Sequence, residues 1–87
     1  MISRKLLHDI ITFCNSFIDI ENVIYSVDKY PNFISAHISV WIIRCGLISY
    51  CVSGIDSHIN SKDNFIKFKE TVLKELPTYL KRAEENK

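Results

Sequence analysis

Only two glycines and two prolines occur among the 87 residues. A chain so poor in loop formers is expected to be mostly regular structure, with disorder confined to residues 83–87. Gly46 and Gly54 are too few to write a G-x-G-x-x-G or Walker sequence, which excludes the familiar phosphate-binding loops. An excess of one charge is also missing: eleven Lys and Arg against ten Asp and Glu leave a net charge of +1. That gives no general field for nucleic acid and no acidic mimicry of it. Cysteine is scarce and odd in number, with Cys14, Cys45 and Cys51 showing no C-x-x-C spacing. Buried free thiols in a reducing compartment are the expected state, and a cytoplasmic location follows from it.

The metal-ligand types are equally thin. His8, Cys14, His37, Cys45, Cys51, Asp56 and His58 fall into no zinc spacing, so neither a metal nor a cofactor is expected. Cys51 and His58 are a thiol and an imidazole close in sequence. Apolar surroundings would hold such a thiol protonated, which argues against a thiol enzyme and, more widely, against catalysis.

What the chain does have is apolar residue, 47% of the total, in three patterned stretches. Leu6, Leu7, Ile10, Phe13, Cys14 and Phe17 recur at helical spacing behind Ser3, a candidate N-cap. The basic start of this stretch is interrupted by His8 and Asp9, so it reads as a retained amphipathic helix rather than a signal peptide. Phe65, Ile66, Phe68, Val72, Leu73 and Leu76 make another one-sided stripe near the end, with Asn60 or Ser61 as cap. Pro77 is expected to break or kink that helix before a short last turn. Lys67, Lys74 and Lys81 recur along it, but Asp63, Glu70 and Glu75 cancel their field, as on a solvated surface.

Between these stretches lies the most apolar one, residues 33–54. It reads as a central helix buried on nearly every face. On helical spacing Ser35, Ser39, Ile42, Gly46, Ser49 and Ser53 form a small-residue stripe, where a second copy could dock as a homodimer. A membrane span is disfavoured by Arg44 near its middle, which would cost about 2.5–3.5 kcal/mol to insert. Residues 18–30 suit a helix or a short strand at Val23 to Val27; with no second strand in view, the helix is favoured. Tyr30-Pro31-Asn32 makes the turn that follows.

The expectation is therefore a single all-α domain over 1–87, a compact bundle of four to five helices around the central one. On a helix, Asp19, Glu21 and Asp28 would share an exposed acidic ridge suited to a basic protein partner.

The run Trp41-x-x-Arg44-x-Gly46-Leu47-Ile48-Ser49-Tyr50-Cys51 resembles a helix of HEPN-type domains, small helical bundles of bacterial conflict and RNA-cleaving systems. Active members of that group carry a closely spaced Arg and His. Here Arg82 is followed by no His, and the Arg4/His8 pair stands at the other end of the chain. The resemblance thus implies a shortened, non-catalytic version. In size and type the chain is also similar to bacterial immunity proteins. The function these readings imply is an immunity or antitoxin-type protein that neutralises a toxin by binding it. No nucleic acid, small-molecule substrate or membrane is expected as partner. The alternatives are a homo-oligomeric regulatory module and a relative of the RNA-processing bundles.

Overall fold

The computed structural model describes residues 2–18, 20–44 and 47–85. Ser3 caps helix α1, Arg4–Asn15, by accepting the Leu6 N–H at 3.1 Å. The predicted stripe turns inward, with Ile10 and Cys14 fully buried. A chain of turns held by Phe17, Ile18, Ile20 and Val23 N–H groups leads out of the helix. Strand β1, Val23–Lys29, follows, then β2, Ile34–Arg44, β3, Leu47–Ile59, and helix α2, Lys62–Glu85. The strands form one antiparallel sheet in the order β1-β2-β3.

This α+β fold overturns the expected all-α helical bundle: two helices and three strands are described, and the central stretch is not a helix. The reason lies in residue type and period. Ile34, Ala36, Ile38 and Val40 are buried, and they alternate with Ser35, His37, Ser39 and Trp41. That is the two-residue repeat of a strand, built largely from β-branched residues that lose little by being extended. Once residues 34–40 are a strand, Val23–Lys29 has a partner, and it pairs from Val23↔Val40 to Lys29↔Ile34. The objection to a strand there, unsatisfied backbone, disappears. Tyr30 N–H bonds the Phe33 carbonyl at 2.9 Å to close the turn, so the Tyr30-Pro31-Asn32 turn joins two strands instead of two helices.

Both helices pack on one face of the sheet. Ile34, Ala36, Ile38 and Val40 of β2 and Ile55 and Ile59 of β3 meet Phe65, Phe68, Val72 and Leu76 of α2 in one core with Ile10 and Cys14. Phe13 joins the helices, with its ring edge-on to Phe17 at 5.2 Å and to Phe65 and Phe68 at 6.1 Å. The Tyr25 hydroxyl donates to Asn15 Oδ1 and ties β1 to the end of α1. Ser61 caps α2 by accepting the Asn64 N–H at 3.2 Å. The helix then runs through Pro77 to Glu85. The bond that proline deletes would reach Leu73, which is 61% exposed, so water can serve the freed carbonyl and the helix is not broken.

The β2–β3 hairpin outruns β1. The Trp41 N–H still reaches the Asn22 carbonyl, at 2.8 Å, and beyond it only two strands continue to Arg44↔Leu47. The described residues of the run that resembles a HEPN helix, 41–44 and 47–51, lie in the strands of this ribbon. Two register shifts place extra residues in β3, one opposite Ser39 and one between Tyr50 and Ile48. Cys45 and Gly46 lie outside the described residues. The proposed small-residue stripe does not survive as one face, because Ser35 and Ser39 belong to β2 while Ser49 and Ser53 belong to β3.

Candidate functional site

The sheet face away from the helices carries the polar half of the alternation. Pairing register sets it out in rows. Asp28, Ser35 and His58 form one row, and Ser26, His37 and Asp56 the next. Ile24 lies opposite Ser39 beyond them, and Trp41 continues the same side of β2. Ile24 is 37% exposed; Ser26, Asp28, Asp56 and His58 are exposed, and Ser35, His37 and Trp41 half-buried. No Lys or Arg stands at these positions, so the face is mildly acidic through Asp28 and Asp56.

At its centre Ser39, His37 and Asp56 lie in line. Ser39 Oγ and His37 Nε2 share a hydrogen bond, and His37 Nδ1 stands 3.6 Å from Asp56 Oδ2. With the ring proton on Nδ1, Nε2 accepts from the Ser39 hydroxyl. The order is that of a serine nucleophile, its base and its orienting acid. Two features set it apart from one. Ser39 is only 5% exposed, so its hydroxyl has little room to reach a substrate. At 3.6 Å, the Asp56 carboxylate stands beyond hydrogen-bond distance of His37 Nδ1, so it does not orient the ring as a triad acid would.

Gly54 explains why the imidazole lies where it does. A Cβ placed there would come within 2.5 Å of His37 Cε1 and 2.8 Å of Ser39 Oγ. The ring therefore rests on bare backbone at the point where β3 carries its extra residue. An aromatic ring over a strand glycine covers backbone that would otherwise be open. At the turn end of the face, Tyr30 stacks on Phe33 at 4.6 Å, and Phe33 meets the His58 ring edge-on at 5.0 Å.

Of the residues expected on one acidic ridge, the structure separates Glu21 from Asp28. Asp28 lies on the uncovered face, next to the end of β1. Glu21 is exposed in the turn before β1, roughly 20 Å away at strand rise. Asp19 lies outside the described residues. Among the described residues, no three of His, Cys, Asp and Glu gather where a metal could be held. No described helix is long and apolar enough to cross a membrane. On the helical side, a groove of about 280 Å³ runs between α1 and the start of α2, lined by Leu6, Phe65 and Ile66 with Lys5, Lys62 and Lys69 around it.

No family model, curated protein or solved structure matches the chain, so neither the HEPN-type resemblance nor a function comes to it from a relative.

Proposed function

We propose that the protein acts by binding another protein through the uncovered face of its sheet, without a catalytic step or cofactor. The observation that carries this is the asymmetry of the sheet. One face is closed by both helices, while the other presents Ile24, Asp28, His37, Trp41, Asp56 and His58 with no helix over them among the described residues. Apolar and half-buried aromatic groups beside hydrogen-bonding side chains are what protein interfaces use. The two carboxylates, with no Lys or Arg among them, suit a partner with a basic surface. Within this class the reading favoured is an immunity or antitoxin-type protein that blocks a toxin by occupying it, in keeping with the small size and the near-neutral charge.

The test is affinity capture of the tagged full chain from its native host, followed by expression of any stoichiometric partner alone and together with this chain. A partner that arrests growth alone and is silenced by co-expression is the expected result. A stoichiometric partner with no toxicity would remove the inhibitor reading and leave the binding one. A chain that is itself found to turn over a substrate would overturn both.

A further inference from the structure

The two edges of the sheet are built differently. The β1 edge is seven residues long, bears Asp28 and Lys29, and runs into Tyr30-Pro31. Short length, charge and a nearby proline are the usual protections of an exposed edge. The β3 edge is thirteen residues long and contains no Lys and no Pro, and Asp56 is its one carboxylate. Among the described residues nothing pairs with its outer side. Its extra residues sit at Ser53–Gly54 and near Ser49, so the part from Ile55 to Ile59 is regular and pairs with β2 without a break.

That regular part is a chemical palindrome. Ile55-Asp56-Ser57-His58-Ile59 reads the same by type in both directions about Ser57, with the acid and the imidazole exchanged. We propose that two copies of this chain pair antiparallel along this edge, about a twofold axis at Ser57, to make one six-stranded sheet. In that register Ile55 of each copy faces Ile59 of the other, on the helix-covered side where both already lie. Asp56 faces His58 of the other copy on the uncovered side, twice by symmetry. Gly54 and Asn60 close the two ends. A twofold contact needs a self-complementary surface; an imidazole directly across an antiparallel pair can donate a hydrogen bond to a carboxylate, while two like charges there repel.

The helices leave room for it. Helix α2 starts beside Ile59 and runs back along β3. At about 1.5 Å per helical residue and 3.3 Å per strand residue, the two α2 helices overlap only over roughly their first two turns. Pairing doubles the uncovered face into a single platform without covering it. The inference is independent of what that face binds.

The experiment is sedimentation equilibrium of the full chain from about 10 µM to about 1 mM, where an interface of one strand edge is expected to associate. The wild type is expected to form dimers. His58→Asp sets carboxylate against carboxylate at both positions and is expected to weaken association at least tenfold, with an unchanged circular dichroism spectrum. The exchange Asp56→His with His58→Asp restores opposite partners and is expected to recover most of the loss. A wild type that stays monomeric throughout, or a His58→Asp variant that dimerises as well as the wild type, overturns the proposal. Failure of the double exchange to recover association overturns the register.

Discussion

Strand β2 shows two surfaces made by one stretch of backbone. Over residues 34–41 the even-numbered ones, Ile34, Ala36, Ile38 and Val40, are at most 2% exposed. The odd-numbered ones there, Ser35, His37, Ser39 and Trp41, are polar or amphipathic and lie on the face away from both helices. The first set is under packing constraint, where a lost methylene leaves a void. The second set is under chemical constraint alone, apart from the point where His37 rests on Gly54. Stability is thus concentrated on the helix-covered side of the sheet.

Substitution on the packed side is expected to act most strongly. Ile38→Ala, at 1% exposure, is expected to cost about 2–5 kcal/mol by urea unfolding, since Val40, Tyr25 and Ile55 are held from collapsing into the space. Next comes Cys14. Burial pushes its thiol up from 9.0 to about 11. Between those values the unfolded chain gives up the proton and the folded chain keeps it. Stability therefore falls as pH rises from about 9 to about 11, by up to about 3 kcal/mol. The difference between wild type and Cys14→Ala across pH-dependent melts isolates this part. In the native protein Cys14 should also resist alkylation at moderately alkaline pH and react once denatured.

Gly54→Ala sharpens the one place where the bare face is constrained. Its Cβ would meet the His37 ring and Ser39, and the expected cost is about 1–3 kcal/mol. Adding His37→Ala should return part of it, because the ring is then gone. The smallest effect belongs to Ser26→Arg and Asp28→Arg, exposed positions of β1 on the uncovered face. Both are expected to stay within about 0.5 kcal/mol of wild type in thermal unfolding.

How much of this the sequence disclosed depends on period. The two helices were legible because Leu6 to Phe17 and Phe65 to Leu76 keep a helical repeat, and Ser3 and Ser61 mark their starts. The sheet was not. Residues 42–52 are apolar almost throughout and carry no period, so they suit a buried helix and a strand ribbon alike. That ambiguity spread over the clean alternation of residues 34–41 beside it. It then removed the partner that Val23–Lys29 needed. One misassigned element thus changed the fold class. The uncovered face was hidden for a further reason. His37 and Ser39 meet Asp56 and Gly54 only through the β2–β3 register, and no spacing along the chain encodes that register. The helix that was to carry the acidic ridge is absent, and of its described members, Glu21 and Asp28, only Asp28 reaches the uncovered face.

The most direct test of the uncovered face as the working surface is a paired capture measurement on the full chain in its native host. One variant carries Ser26→Arg and Asp28→Arg on the uncovered face, and the other carries Glu70→Lys and Lys74→Glu on the exposed side of α2. The first variant is expected to lose the stoichiometric partner of the wild type and the second to retain it, with both folded by circular dichroism. Retention by the first and loss by the second would contradict that role for the uncovered face and move the binding surface to the helical side.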